Sequence, residues 1–164
     1  MTITLDEDAY PIVLQGFPAG PKGEAALHDL FARMSVLAER AARDGTVHVV
    51  VALGDEHFTA AERKVVAQRM EEATPEEAAR VVGAFAVIES GFARGVLTAL
   101  RWLAPHVIAI VAAATPDEAI DLARARLHAV GVDVPLDVIV RARIAARKLH
   151  DSIKSARVGG ARGG

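Results

Sequence analysis

Between residues 82 and 130 the chain switches back and forth between two apolar patterns without interruption. Residues 82–88 (Val-Gly-Ala-Phe-Ala-Val-Ile) are too short and too continuously apolar for a surface element. They predict a strand covered on both faces. Residues 91–103 then carry apolar side chains at helical spacing, residues 107–111 form a second buried strand, and Thr115-Pro116-Asp117-Glu118 opens another helix. Strands alternating with amphipathic helices predict an α/β domain on a mainly parallel sheet. No other feature of the chain restricts its architecture as much.

The rest of the chain fits this frame. Residues 2–5 and 11–17 are β-prone and separated by Asp6-Glu7-Asp8, which reads as a hairpin leading into the sheet. The breakers in 17–23 mark a loop. A helix over 24–44 follows, with Ala26, Leu27, Leu30, Phe31, Met34, Leu37 and Ala38 on one stripe and Gly45 as its stop. Residues 46–53 form a β-branched strand. Thr59-Ala-Ala-Glu62 has the form of a capping box opening a helix over 59–72, and Thr74-Pro-Glu-Glu77 repeats the device. The helix opened at Thr115 spans 116–130. These threonines read as caps.

Composition limits the chemistry. Apolar residues make up 52% of the 164, yet aromatics only 4%, so the core is built from Ala, Val, Leu and Ile and offers few rings for stacking bases or sugars. A net charge of −2 supplies no electrostatic reason to expect nucleic acid. The absence of cysteine removes disulfides, thiolate metal sites and cysteine nucleophiles, and suits a cytoplasmic protein. The first residues lack the basic and apolar regions of a signal peptide, and no apolar run approaches the ~18 residues of a membrane span. No cofactor is expected.

The end of the chain differs in charge. From Asp133 onward seven Lys and Arg face three Asp, so this segment carries +4 while the preceding 132 residues carry −6. The division expected is a domain over 1–132, a basic amphipathic helix over 133–156 and a flexible Gly/Arg tail over 157–164. On that helix Ile139, Ala142, Ala146, Leu149 and Ile153 recur at alternating spacings of three and four, an a/d seam widened by Val140 and Ile144. The seam packs on its own domain, pairs with another subunit or partner protein, or lies on an anionic membrane. The sequence-based expectation is an association helix, with deletion after Val132 leaving the sheet domain folded.

The order hairpin, helix, strand, helix, strand, helix, strand, helix resembles the STAS/SpoIIAA-like family over residues 1–131. The blocks that carry the resemblance are Tyr10-Pro-Ile-Val-Leu-Gln-Gly-Phe17, Val49-Val-Val-Ala-Leu53, and Phe85-Ala-Val-Ile-Glu-Ser90 with Arg94-Gly95 through Trp102. The resemblance implies a STAS-like mixed sheet with flanking helices and a non-catalytic protein-interaction module, a signalling regulator or scaffold. Family antagonists of anti-sigma factors carry a phosphorylated serine or threonine after an aspartate, at the helix following the second core strand. The equivalent stretch here, Leu53 to Thr59, has no serine or threonine two after Asp55. Thr59 at the helix start is the alternative phosphosite, although Asp55 and Glu56 would repel a phosphate there.

A binding rim is expected from Asp55, Glu56, His57 and Thr59 together with Ser90, Gly91 and Arg94, because open α/β sheets bind ligands beyond the carboxyl ends of their strands. Trp102 joins it as a groove or interface residue. No Gly-x-Gly-x-x-Gly or Walker signature is present. Asp55, Glu56 and His57 are adjacent, a poor geometry for one metal, and read as a solvated loop. His48 and His106 read as ordinary hydrogen-bonded positions. A small-ligand or lipid carrier is the alternative function, and an unrecognised hydrolase or transferase the third.

Overall fold

A computed structural model describes residues 2–54, 57–91 and 110–160. Five strands form one sheet in sequential order: β1 (Thr4–Asp6), β2 (Ile12–Phe17), β3 (His48–Gly54), β4 (Val81–Val87) and β5 (Ile110–Ala113). β1 runs antiparallel to β2, and every later pairing is parallel, with Val13 beside Val50, Val51 beside Phe85 and Phe85 beside Val111. The sheet is therefore mixed, parallel in its core and flanked by helices, as the alternating apolar pattern predicts.

Side-chain alternation along each strand divides the interior into two layers. On one face Val13 meets Leu30 and Leu37 of α1 (Glu24–Asp44), and α1 in turn packs on α2 (Ala60–Glu72) and α3 (Pro75–Arg80). On the other, Ile12, Leu14, Val49, Val51, Leu53, Phe85 and Val87 form the larger core with α4 (Pro116–Ala129) and α5 (Leu136–Gly160). α1 ends as its sequence requires: Gly45 adopts the left-handed conformation at φ 66°, and its N–H reaches the carbonyls of Ala41 and Ala42. Thr59 and Thr74 make complete capping boxes with Glu62 and Glu77. Thr115 caps α4 through the Glu118 N–H, while the Glu118 carboxylate accepts from the N–H of Ala114.

Two expectations fall partly or almost wholly outside the described residues, and one is corrected. Of the strand assigned to 107–111, residues 110 and 111 lie in β5, which runs on to Ala113, and 107–109 lie outside the described residues. The helix expected over 91–103 also lies outside them apart from Gly91, which is helical. The largest change concerns the C-terminal segment, which is no appendage.

Ile139, Ala142, Ala146 and Ile153 of α5 are buried, and the first three belong to the larger core beside β2, β3 and α4, with Leu149 packed against it. The a/d seam is thus occupied within its own domain, so these residues are not an exposed association surface. The boundary at 132 cuts through one core. The helix also continues to Gly160, so 157–160 are helical rather than tail. The charge asymmetry has a structural counterpart: Arg143 pairs with Asp121, Arg147 with Asp117 at 2.5 Å, and Lys154 with Glu89 at 2.7 Å. Opposite charge on body and helix favours this folding back.

Candidate functional site: the carboxyl edge of the sheet

Because β2, β3 and β4 are parallel neighbours, their carboxyl ends and the loops beyond them share one edge. Phe17 at the end of β2 stands in register with Gly54 at the end of β3. Gly54 has φ 111°, and a Cβ there would lie 2.2 Å from the Phe17 carbonyl oxygen, so the chain can leave β3 only through glycine.

The centre of this edge is Glu62, only 2% exposed although it lies in the first turn of α2. Its carboxylate accepts from three backbone N–H groups: Thr59 at 2.7 Å, Gly23 at 2.7 Å, and Lys22. These bonds, led by that from Thr59, hold its carboxyl below the usual range, against the burial that would raise it. One acid thereby closes the capping box of α2 and anchors the loop entering α1. Lys22 completes the clasp. Its side chain is buried, with Nζ donating to the carbonyls of Gly20 and His57, each at 2.8 Å, and lying 5.2 Å from the centre of the Phe58 ring. Phe58 packs edge-on against Phe17 at 5.6 Å.

Of the expected rim, His57, Thr59, Ser90 and Gly91 lie at this edge and are exposed. Asp55, Glu56, Arg94 and Trp102 lie outside the described residues. Thr59 is a cap: its hydroxyl accepts from the Glu62 N–H at 3.2 Å. A phosphate on that oxygen would stand beside the Glu62 carboxylate and displace both bonds of the box. Glu89, between β4 and Ser90, reaches back to Lys154, which holds its carboxyl below the ordinary range, and lies 3.5 Å from His150. α5 is thus tied to the same edge.

Sequence reasoning found the Glu62 cap but not its burial, and missed Lys22 altogether. The only available signal was the density of breakers before Lys22, which marks a loop without saying what it encloses.

Below the rim an apolar groove of about 540 Å³ runs between the sheet and helices α1 and α2. Phe17, Phe31, Phe58, Val66, Met70 and Ile110 line it, with Gln15 and Arg63 as polar members. Val87 and Ile88 at the end of β4 and Ile110 at the start of the described part of β5 border the groove.

At the opposite edge His48 is fully buried and differs from expectation: among the described residues neither ring nitrogen has a hydrogen-bond partner. Its ring lies 6.2 Å from that of Tyr10. Burial lowers its pKa to about 4.

Among the described residues no group of three or more His, Asp or Glu is placed to hold a metal, and no helix is long and apolar enough to cross a membrane. No family model matches the chain, and neither does any curated protein or solved structure.

Proposed function

We propose that the protein is a non-catalytic, STAS-like interaction module, a regulator or scaffold whose working surface is the carboxyl-edge rim bearing His57, Thr59, Ser90 and Gly91. The observation that carries this reading is the Glu62–Lys22 clasp. Among the described residues, two buried charged groups beside the rim spend hydrogen bonds on fixing its loops: Glu62 on three backbone N–H groups and Lys22 on two carbonyls. A loop held in place before binding loses less conformational entropy when a partner docks, which suits recognition of a protein surface. The STAS-like blocks at residues 10–17, 49–53 and 85–90 end at or near this edge and support the same reading.

Affinity capture from the source lysate with three baits tests it. The wild type and a control changed at the far end of α2, Glu71→Ala, should retain the same partner, while His57→Glu should lose it. Equal capture by all three removes the rim from the function.

The apolar groove favours a second reading, a carrier of a small apolar ligand, since its size and lining fall within the usual range for ligand sites. Native mass spectrometry of the purified protein separates the two. A carrier retains a non-covalent mass, whereas bare protein leaves the groove to be filled by the chain itself or by a partner.

A further inference from the structure

The two faces of the sheet are covered unequally where β4 meets β5. On one face Phe85, Val87 and Ala113 enter the core that α4 and α5 share. On the other, strand pairing sets Val50, Ala84 and Ile110 in one row and Ala52, Ala86 and Ala112 in the next. Of these, Ala84, Ala86, Ile110 and Ala112 stay only half-buried. The apolar groove lies against Ala52, Ala86 and Ile110, with α1 and α2 on its far side. Parallel strands are ordinarily covered on both faces, so this floor lacks a layer among the described residues.

We propose that residues 92–103 of this chain occupy the groove as a helix that is a fixed layer of the core, leaving no room there for a ligand. Topology selects the face. β4 and β5 are parallel, so the chain between them must return along the sheet. α1 joins β2 to β3, and α2 with α3 joins β3 to β4, both over the groove face. A third step in the same direction keeps the same hand only over that face. The opposite face is already taken by α4 and α5. Length agrees as well. Gly91 has helical backbone, and residues 92–109 separate it from Ile110. Twelve of them as helix rise about 18 Å, and the six that follow reach ~20 Å when extended. Ile110 stands beside Ala84, three positions or about 10 Å before the end of β4 at Val87. Pattern gives the third argument. On a helix Phe92, Val96, Ala99, Leu100 and Leu103 share one arc, with Arg94, Thr98 and Arg101 opposite. The alanines of the floor leave depth for these larger side chains, and any other occupant would leave that apolar arc in water. The inference is independent of the rim's role, and it excludes the carrier reading.

Methyl NOE spectroscopy of the full wild-type chain tests it, since Met70 and Ile110 line the groove and Leu127 of α4 lies in the core of the other face. The methyls of Val96 and Leu100 should show contacts to Met70 and Ile110 and none to Leu127. An isotope-filtered spectrum of mixed labelled and unlabelled chains should lack these contacts, which places them within one chain. Anilinonaphthalene sulfonate, a dye that brightens on apolar surface, gives a second readout. Its fluorescence should stay near the buffer level with the wild type and with Thr98→Asp, and rise severalfold with Leu100→Asp. The wild-type contacts decide the matter even where Leu100→Asp fails to fold. Contacts from Val96 and Leu100 to Leu127, to a second copy or to neither face overturn the proposal. So does a wild type that binds the dye as strongly as Leu100→Asp, or one that retains an apolar ligand in native mass spectrometry.

Discussion

Leu149 lies directly over Gly16: a Cβ on residue 16 would stand 2.9 Å from one Leu149 methyl carbon and 3.0 Å from the other. Strand β2 and helix α5 are therefore in contact at a point where only a hydrogen separates backbone from side chain. Gly16→Val should destabilise the protein by about 1–3 kcal/mol through overpacking. Gly16→Ala should cost less, because the atoms it meets end a side chain that can shift. Adding Leu149→Ala to Gly16→Val should recover part of the loss, and urea denaturation of the singles and the double would show it as non-additivity. Strict additivity would mean the two sites do not touch in solution.

Truncation after Val132 should unfold the domain. It removes Ile139, Ala142, Ala146 and Ile153 from the interior and uncovers Ile12, Leu14, Val49 and Val51. Each large aliphatic side chain contributes about 1.5–3 kcal/mol on burial, and several together rival the ~5–15 kcal/mol that holds a whole domain folded. Proton NMR of the truncated chain should lack dispersed methyl signals. A dispersed spectrum would show that the sheet stands without α5.

His48 should make stability fall in mild acid. Its folded pKa of about 4 lies below the ordinary 6.5, so above pH 6.5 both states are neutral and it contributes no slope. Between these values the unfolded chain takes up a proton that the folded chain refuses, and stability is lost until pH falls through the folded value. From pH 7 to pH 5 the loss should be about 2 kcal/mol. Glu62, Glu77, Glu89 and Asp117, all held below their ordinary values, lose their contributions progressively as pH falls from those ordinary values toward the lowered folded ones, mostly below about pH 5. Guanidinium denaturation of His48→Leu at pH 7 and pH 5 should therefore show most of this slope removed. An unchanged slope would assign it to another group.

Glu62→Gln should loosen the carboxyl edge without unfolding the sheet. The amide keeps one oxygen acceptor but brings donors where three N–H groups already point. Hydrogen exchange should accelerate at Gly23 and Thr59, while the amides of β3 keep their protection. Uniform acceleration would instead indicate global destabilisation, and unchanged exchange would show that the clasp does not hold these loops.

Much of this architecture was legible in the sequence because it depends on neighbours within a turn or two. The caps at Thr59, Thr74 and Thr115, the stop at Gly45 and the buried stripe of α1 each follow from local backbone needs. Strands β2 and β3 were legible as β-prone runs, but the faces taken by Ile12 and Val49 on one side and Val13 on the other came from the structure. The candidate site was legible only as a place, the carboxyl edge. His57 and Thr59 were picked out there, yet the buried acid that organises it was read as an ordinary cap.

What tertiary structure alone decided was which surface covers which. The seam through Ile139, Ala142, Ala146 and Ile153 announced that a helix face must leave water, but periodicity says nothing about its partner. The sheet supplied that partner, with Gly16 giving α5 room to approach. Similarly, Glu62 and His48 look unremarkable among their sequence neighbours. One is buried because Lys22 and Gly23, about forty residues earlier, bring N–H groups to it. The other is buried without a comparable partner among the described residues. Local propensity is set by atoms a few bonds apart, whereas burial depends on segments brought together only by the completed fold.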